Sequence, residues 1–369
     1  MLIEIINHLS PITMIIFSIT NKNINYLCRQ HQYYKIFNQN TKKIDCGHYY
    51  SMIIKNHHLY SMGAYPNTLS TVNHYDPTLL CKGVISVHCG SHHCLFFTSK
   101  HVYGVGSNQY GQLGLDLKED LHILPFSPHD VLCIACTESH SFILTVQGLY
   151  GFGKSGFIDD IDFSYTPTLI PFNAKGGSDK QILQISCGDA HMIIRTEHCY
   201  YGYGCNKSGQ LGLPYNEIIW DNINTLKVEC GMTHTVFLLP DGAYGLGSNM
   251  NGQLGLGLLT YIYTPTKIMD DVIDICCGAD HTLFLTSDGL YGCGSSYYGE
   301  LGLGNNITHH KPVKLKIKIS NDIKLACGYG HTIVKTQDYM MFGSNRYSQL
   351  GLGKYKLKKY NKPKLLKVP

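Results

Sequence analysis

The apolar residues of the first 35 positions follow the spacing of helices. Four of them lie at i, i+3, i+4 and i+7, which places them on one helical face: Leu2, Ile5, Ile6 and Leu9. Ser10 and Pro11 then supply an N-cap and a first helical residue for a second short helix. The same spacing returns there at Ile12, Ile15, Ile16 and Ile19. Helices this short cannot bury a sufficient core alone, so residues 1–35 are predicted to dock on another surface.

From residue 41 onward the helical spacing is replaced by short apolar strands that share the motif Cys-Gly-x-x-His. Five copies are complete: Cys89 with His93, Cys187 with His191, Cys230 with His234, Cys277 with His281, and Cys327 with His331. Degenerate copies begin at Cys46 and Cys136, so the motif occurs seven times at intervals of 43 to 51 residues. Repeats of about this length with several strands each are typical of propeller blades.

Two further motifs recur in register with the first. A Tyr-Gly-x-Gly strand begins fourteen residues after each cysteine, with Met341 in the seventh place, and this constant interval predicts two strands joined by a tight turn. A Gly-Gln-Leu-Gly motif ends most units and starts at Gly111, Gly209 and Gly252, with variants at Gly299 and Ser348. Units one and three lack this third motif.

The two ends of the repeat region predict how the ring closes. The first unit begins at Cys46 without a preceding Pro-x-x-Leu segment, and the chain ends on such a segment at residues 363–366. These ends indicate a permuted blade, in which the C-terminal strand completes the blade that residues 44–63 begin and removes free sheet edges. The predicted fold is an all-β, seven-bladed β-propeller over residues 41–369, closed by a C-terminal strand and preceded by a short α-helical segment.

Together the three motifs resemble the repeats of the regulator of chromosome condensation family over about residues 41–369. The resemblance implies a seven-bladed propeller. The founding activity of that family is nucleotide exchange on a small nuclear GTPase, and many other members use the propeller to bind proteins. The resemblance therefore implies protein partners, a small GTPase among them.

The N-terminal segment resembles an F-box, the adaptor motif of cullin ubiquitin ligases. Leu2-Ile3-Glu4-Ile5 is similar to the opening of that motif, and Leu9-Ser10-Pro11 is similar to its middle. Ile3 replaces the usual Pro of the family, and its later Trp is missing. The resemblance implies contacts to the adaptor subunit of the ligase from Leu2, Ile5, Leu9, Pro11, Ile15 and Ile16. The alternative is a helical cap that packs on the propeller.

The repeated cysteines and histidines invite a metal interpretation, but their placement does not favour one. Each Cys-His pair belongs to a different blade, so four ligands do not converge on one ion. We predict that the cysteines are small buried apolar groups and that each histidine hydrogen-bonds a backbone carbonyl of its own blade. The sequence contains no Walker motif, nucleophile elbow or paired-carboxylate signature. It therefore predicts a protein that is not an enzyme, with no catalytic residue, cofactor or metal.

Units that break the repeat supply the remaining candidate binding residues. Unit three carries Asp159, Asp160 and Asp162 where Gly-Gln-Leu-Gly is missing, and this acidic loop either meets a basic partner or is solvated. Trp220, the only tryptophan, either anchors an interface or fills a gap in the core. The lysines of residues 354–367 are interpreted as a solvated edge strand rather than a nucleic-acid site.

Composition narrows the location and the partners. The net charge of +4 is too small to indicate nucleic acid by itself, and no apolar run near the N-terminus is long enough for a membrane span. Fifteen cysteines without a secretory signal favour an intracellular protein, cytoplasmic or nuclear. The predicted function is a protein-interaction scaffold, with two finer hypotheses: a substrate-recognition adaptor of a cullin-type ubiquitin ligase, and a guanine-nucleotide exchange factor for a small GTPase.

Overall fold

The computed structural model describes residues 32–65, 72–114, 121–158, 165–171, 181–197, 199–212, 225–320, 322–354 and 358–369. Within these ranges one helix, α1, spans residues 32–40, and strands β1 to β27 follow it. The strands form seven separate antiparallel sheets, and each sheet is one blade. The prediction of a seven-bladed, all-β propeller is thereby confirmed. No helix in these ranges is long and apolar enough to cross a membrane.

The first three blades are built from consecutive strands. Blade 1 contains β1 (Ile44–Cys46), β2 (Tyr50–Lys55), β3 (His58–Tyr65) and β4 (Val72–Lys82). Blade 2 contains β5 (Val84–Cys89), β6 (His93–Thr98), β7 (Val102–Gly106) and β8 (His122–Leu124). Blade 3 contains β9 (Val131–Cys136), β10 (His140–Thr145), β11 (Gly148–Gly153) and β12 (Thr168–Leu169).

The last four blades continue this order. Blade 4 contains, within the described residues, β13 (Ile182–Cys187), β14 (His191–Thr196) and β15 (Tyr200–Gly204). Blade 5 contains β16 (Lys227–Cys230), β17 (His234–Leu239), β18 (Gly242–Ser248) and β19 (Tyr261–Met269). Blade 6 contains β20 (Val272–Cys277), β21 (His281–Thr286), β22 (Gly289–Gly294) and β23 (His309–Lys314). Blade 7 contains β24 (Lys324–Cys327), β25 (His331–Lys335), β26 (Tyr339–Ser344) and β27 (Lys359–Leu366).

Each motif occupies one strand of the blade. The cysteine strand is innermost and contacts the cysteine strands of the neighbouring blades, while the histidine strand and the Tyr-Gly strand lie progressively further out. The histidine strand is buried on both faces, as in β6 and β21, because every sheet lies between two other blades. The apolar core is therefore divided among the gaps between adjacent blades.

The predicted permutation of a blade is wrong. Strand β27 pairs with β26 and completes blade 7, while β4 completes blade 1 from its own unit. The Pro-x-x-Leu segment thus ends its own blade instead of opening the next one. The ring closes by side-to-side packing, because Leu366 and Val368 of the C-terminus bury themselves against Ile44, Ile53 and Met62 of blade 1. Sequence spacing could not decide this, since an outer strand can pair with either neighbouring unit.

The glycines of the Tyr-Gly-x-Gly motif lie on the third strand of each blade. A Cβ at Gly245 would lie 2.6 Å from the side chain of Leu254, the leucine of Gly-Gln-Leu-Gly. Gly247 has a φ of +103°, and a Cβ there would lie 2.6 Å from the carbonyl oxygen of Thr233. The first glycine therefore makes room for the leucine, and the second permits a left-handed backbone.

Helix α1 packs on the propeller at the end where the innermost strands begin. Ile36 is 2 % exposed within a cluster that includes Leu132 of blade 3. The Phe37 ring lies 5.8 Å from that of Phe97 in blade 2. Asn40 donates its side-chain amide to the carbonyl of Leu183 in blade 4 at 3.0 Å. The chain preceding the propeller is therefore attached at this end, which we call the opposite face.

Candidate functional site

The innermost strands bring all seven motif cysteines to one end of a central channel. A cavity of about 90 Å³ at that end is lined by the six Cys-Gly pairs and by Cys136 and Thr137 of degenerate unit three. The residues that follow these pairs, together with those that follow the third strands, form what we call the Cys-Gly face. His48, Asp189 and Tyr329 line the cavity at its mouth. This face and the opposite face are the two candidate binding surfaces.

The motif histidines join neighbouring blades through a three-membered chain. His191 Nε2 of blade 4 lies 3.1 Å from Thr235 Oγ1 of blade 5, and that hydroxyl donates to the carbonyl of Gln210 at 2.8 Å. The same chain links four other sets: His93–Ser141–Gln112, His234–Thr282–Gln253, His281–Thr332–Glu300 and His331–Ser51–Gln349. We call this arrangement the blade clamp.

The blade clamp corrects the predicted role of the histidines. They were expected to bond a backbone carbonyl of their own blade, but five of them bond a hydroxyl of the next blade. The ring stands on a strand buried between two sheets, so its outer nitrogen reaches the adjacent sheet. The prediction is correct for His140 of degenerate unit three, whose Nε2 bonds the carbonyl of Lys154 in its own blade.

The clamp determines the protonation state of each ring. A hydroxyl has one hydrogen, which goes to the Gln or Glu carbonyl, so the histidine Nε2 must carry the hydrogen that it donates to the hydroxyl oxygen. Burial disfavours the charged ring and lowers the pKa of His191 and His281 to about 4, and that of His93, His234 and His331 to about 3. These histidines are therefore neutral structural groups at neutral pH.

Two interfaces lack the clamp. Between blades 1 and 2, Tyr50 replaces the histidine and its hydroxyl donates to the carbonyl of Gly90 at 2.9 Å, while Cys94 occupies the hydroxyl position. Between blades 3 and 4, His140 turns back to its own blade and Met192 occupies the hydroxyl position. These are the interfaces that follow units one and three, which lack Gly-Gln-Leu-Gly. A hydroxyl directly after the histidine was the sequence signal for this device, and our sequence reasoning missed it.

Four of the seven motif cysteines direct their thiols at a backbone carbonyl of the preceding blade: Cys136, Cys230, Cys277 and Cys327. The Sγ of Cys230 lies 3.4 Å from the carbonyl of Ser186 in blade 4. Burial raises the pKa of Cys230 to about 12, so the thiol is protonated at neutral pH. Within the ranges that the structure describes, no group of three or more His, Cys, Asp or Glu side chains is placed to hold a metal ion.

Five aromatic side chains form a patch at the centre of the Cys-Gly face, and we call them the aromatic patch: His48, Tyr49, His92, Tyr329 and Tyr347. The ring of Tyr49 lies 4.5 Å from that of Tyr347, and the ring of His48 lies 4.8 Å from that of Tyr329. Burial raises the pKa of Tyr49 and of Tyr329, so both are neutral phenols. Tyr329 is nevertheless 36 % exposed.

Negative charge surrounds the aromatic patch. Asp189 Oδ1 lies 3.2 Å from His48 Nε2 and accepts a hydrogen bond from Ser91 Oγ at 3.3 Å. Glu138 is exposed, and its backbone N–H donates to the carbonyl of Asp189. Asp280, on the far side of the mouth, accepts from the side chain of Gln253 at 3.3 Å. Among the described residues, His48 contacts Asp189, and no lysine or arginine forms an ion pair with Glu138, Asp189 or Asp280.

The outer part of the Cys-Gly face is apolar on blades 5 and 6. Its exposed side chains form what we call the apolar rim: Met250, Leu258, Leu259, Tyr261, Tyr297 and Ile307. Leu258 is the most exposed of them at 85 %. The hydroxyl of Tyr261 lies 3.1 Å from the sulfur of Met250, so these two side chains are in contact. Exposed apolar patches of this kind mark interaction sites on soluble proteins.

On the opposite face, charged groups neutralise one another. A cavity of about 420 Å³ there is lined in part by Lys42, Asp45, Lys227, Glu229 and Asp274. Lys227 Nζ lies 2.8 Å from Asp274 and 3.1 Å from Glu229, and Lys42 Nζ lies 3.4 Å from Asp45. Helix α1 covers part of this end as well. The Cys-Gly face therefore presents the larger set of apolar and charged groups that lack partners within the described residues.

The partner-binding residues predicted from sequence lie outside the described residues. They are Leu2, Ile5, Leu9, Pro11, Ile15 and Ile16 of the N-terminal segment, Asp159, Asp160 and Asp162 of unit three, and Trp220. These assignments stay predictions. None of the residues of the aromatic patch was singled out from sequence, because each occupies a variable position within or after a motif.

Comparison with known proteins supports the repeats identified above. The profile described as "Regulator of chromosome condensation (RCC1) repeat" matches residues 241–285 and 287–334, and a second profile of the same description matches residues 272–300. The chain carries repeats of this type.

Curated relatives share these repeats over a limited part of their own length. The "Probable E3 ubiquitin-protein ligase HERC4" of Homo sapiens is 31% identical over 146 residues, which cover 35% of this chain and 13% of the relative. The "X-linked retinitis pigmentosa GTPase regulator" of Mus musculus is 30% identical over 140 residues, which cover 35% of this chain and 14% of the relative. The "Ultraviolet-B receptor UVR8" of Arabidopsis thaliana is 32% identical over 131 residues, covering 34% and 30%.

Solved structures resemble the whole propeller. Prp20p from Saccharomyces cerevisiae, described with "Its Binding Properties to Gsp1p and Histones", superposes with a TM-score of 0.74 at 22% identity, covering 90% of this chain and 88% of that one. Human WBSCR16 gives a TM-score of 0.67 at 19% identity, covering 81% and 88%. Identities this low establish the shared fold and nothing further.

Proposed function

We propose that this protein is an interaction scaffold and that its Cys-Gly face binds another protein. The observation that carries the proposal is the combination, on one face of a closed ring, of the aromatic patch and the apolar rim. Tyrosine, methionine and leucine side chains exposed together in this way supply the apolar centre of a protein interface. The blade clamp joins five of the seven pairs of neighbouring blades. The propeller is therefore rigid before a partner binds, and few of its groups lose conformational freedom on binding.

We further propose that the protein acts by binding rather than by catalysis. The repeated histidines are neutral and engaged in the blade clamp, and the motif cysteine of blade 5 is a protonated thiol against a backbone carbonyl. These residues serve the scaffold. The fourteen cysteines of the described residues form no disulfide, which supports an intracellular location in the cytoplasm or nucleus.

The finer proposal is a substrate-recognition adaptor of a cullin-type ubiquitin ligase. Helix α1 packs on the opposite face, and in this proposal the Cys-Gly face binds the target. In this arrangement residues 1–35 bind the adaptor subunit of the ligase through Leu9, Pro11, Ile15 and Ile16. A Leu9→Asp, Ile16→Asp double variant should then lose that subunit in a pull-down and keep its melting temperature. A helical cap predicts instead no binding by either protein and a loss of stability in the variant.

A guanine-nucleotide exchange factor is the second candidate. It is favoured by the similarity to a relative named as a GTPase regulator, and to Prp20p, whose description includes binding to Gsp1p. Release of a labelled guanine nucleotide from small GTPases, measured with and without the protein, tests it directly. No acceleration for any GTPase that the protein retains would rule it out.

The scaffold itself is tested by capture of partners from a cell extract, followed by mass spectrometry. Tyr329→Ala and Leu258→Asp alter the Cys-Gly face, whereas Ile123→Asp places the same charge on an exposed apolar residue of the outer strand β8. We expect the face variants to lose partners that the Ile123 variant retains. Equal capture by all of them would overturn the proposed function.

A further inference from the structure

Several tyrosines among the described residues are covered by a cation from the chain itself. Lys154 lies over Tyr110, Arg346 over Tyr347 and Lys359 over Tyr297, with charge-to-centroid distances of 5.2 to 5.8 Å. Similar pairs occur on the third or fourth strands of blades 5, 6 and 7, at Tyr244, Tyr291 and Tyr360. Such pairs use the negative face of the ring to hold positive charge.

Tyr49 and Tyr329 at the channel mouth depart from this pattern. Within the described residues no lysine or arginine lies over either ring. Their ring neighbours are instead His48 and His92, and the charges of Asp189 and Asp280 both act on Tyr329. The charge of Arg346, which lies over Tyr347, acts on Tyr49 from the outer side of the patch. Burial lowers the pKa of His92, so that ring adds no positive charge at neutral pH.

The mouth therefore combines two features that attract a cation. The aromatic rings offer their negative faces, and Glu138, Asp189 and Asp280 surround them without a lysine or arginine partner in the described chain. Asp189 is positioned by His48 and Ser91, so its carboxylate is ordered before any partner arrives. The ring of Tyr298 packs against Gly330, where an added Cβ would lie 2.9 Å from it. Tyr298 extends the aromatic surface toward the apolar rim.

We propose that this mouth binds an arginine or lysine side chain of the partner protein, in an extension that rests on the function proposed above. The 90 Å³ cavity accepts the end of one long side chain, and the surrounding tyrosines supply the faces that a guanidinium or ammonium group prefers. The apolar rim contacts the rest of the partner, which selects a polypeptide over a free cation. The partner thus presents a basic residue within an apolar surface.

The test uses the full chain and a fluorescent peptide of alternating serine and arginine, with a second peptide in which citrulline replaces arginine. Citrulline keeps the shape of arginine and removes its charge. We expect binding of the arginine peptide, measured by fluorescence anisotropy, to be roughly tenfold tighter than binding of the citrulline peptide. Equal binding of the two peptides would overturn the inference.

Variants locate the site. Tyr329→Ala, Asp189→Asn and Glu138→Gln should each weaken binding of the arginine peptide by roughly fivefold, whereas Tyr329→Phe keeps the ring and should retain most of the affinity. Matched controls are Tyr263→Ala, another exposed tyrosine, and Asp322→Asn, which removes the same charge at the start of β24 on the opposite face. Unchanged binding in the three mouth variants, or equal loss in the controls, would refute the site.

Failure of the inference and failure of the proposed function give different results in the extract experiment. A partner lost by Tyr329→Ala but retained by both Asp189→Asn and Glu138→Gln would leave the binding face standing and refute the basic side chain. A partner retained by these three variants and by Leu258→Asp would refute the binding face. Glu138 is exposed and uses only its backbone in the described contacts, so its variant reports on charge even if another variant is destabilised.

Discussion

Five of the seven interfaces between blades contain the blade clamp, and two do not. At a clamped interface the histidine, the hydroxyl of the next blade and the Gly-Gln-Leu-Gly carbonyl occur together, as in His191, Thr235 and Gln210. At the two others Gly-Gln-Leu-Gly is missing and Cys94 or Met192 fills the hydroxyl position, while the histidine is replaced by Tyr50 at one and turns back to its own blade, as His140, at the other. A buried hydroxyl without its partners costs free energy, so an apolar residue replaces it when the partners are lost. The three sequence positions therefore form one device.

Removal of the C-terminal strand should break the closing interface and give the largest effect. Deleting residues 359–369 removes β27 together with Leu366 and Val368, which pack against blade 1 beside the clamp of His331 and Ser51. Burial of two such side chains contributes about 4 kcal/mol, and the deletion also exposes the edge of β26. We expect a loss of at least that much in the free energy of unfolding, measured by urea denaturation. An unchanged midpoint would contradict closure by packing of blade 7 on blade 1.

Glu300 distinguishes one clamp from the other four. It occupies the position that glutamine occupies in the Gly-Gln-Leu-Gly motifs of the other clamps, and it brings a carboxyl group to that position. Burial raises its pKa from 4.5 to about 7. Both the folded and the unfolded protein bind the proton below pH 4.5, and the folded state loses relative stability as the pH rises from there through 7. Glu300→Gln should therefore stabilise the protein by about 3 kcal/mol at pH 8 and by little at pH 4.5.

The control for Glu300→Gln is the reverse substitution at the matched position of blade 5. Gln253→Glu should destabilise the protein at pH 8 and recover as the pH falls, because it introduces the same buried carboxyl. Melting temperatures across the pH range measure both variants. A pH-independent effect of Glu300→Gln would show that the carboxyl is not the cause.

A double-mutant cycle should separate clamped from unclamped interfaces. At blades 6 and 7, His281→Ala and Thr332→Val remove the same hydrogen bond, so we expect a coupling energy of about 1–2 kcal/mol. At blades 3 and 4, His140→Ala and Met192→Ala share no hydrogen bond, and their coupling should be near zero. Chemical denaturation measures the four single variants and the two double variants. Equal coupling at both interfaces would remove the distinction between them.

The smallest effect is expected where the hydroxyl is kept and only a methyl group is lost. Thr235→Ser retains the hydroxyl between His191 and Gln210 and should cost less than about 1 kcal/mol. Thr235→Val has nearly the same shape without the hydroxyl and should cost about 1–3 kcal/mol, because His191 loses its acceptor and the Gln210 carbonyl loses its donor. The order of the two melting temperatures decides between hydrogen bonding and packing.

Much of the fold followed from the sequence. Seven cysteines at intervals of 43 to 51 residues, each followed after fourteen residues by the third strand, specify the number of blades and the order of strands within each. These features are local, because hairpin strands pair with their neighbours in the chain. The burial of Cys46, Cys136, Cys230 and Cys277 also follows from their place in an apolar strand.

Tertiary structure decided what depends on contacts between distant units. It placed β27 in blade 7 instead of blade 1, and it turned five histidines toward hydroxyls of the next blade, 44 to 51 residues away in the four pairs that precede the closing one. It also assembled the aromatic patch from His48, Tyr49, His92, Tyr329 and Tyr347, which occupy variable positions in blades 1, 2 and 7. Ring closure brings these blades together, so no spacing along the chain could have predicted that their side chains share one channel mouth.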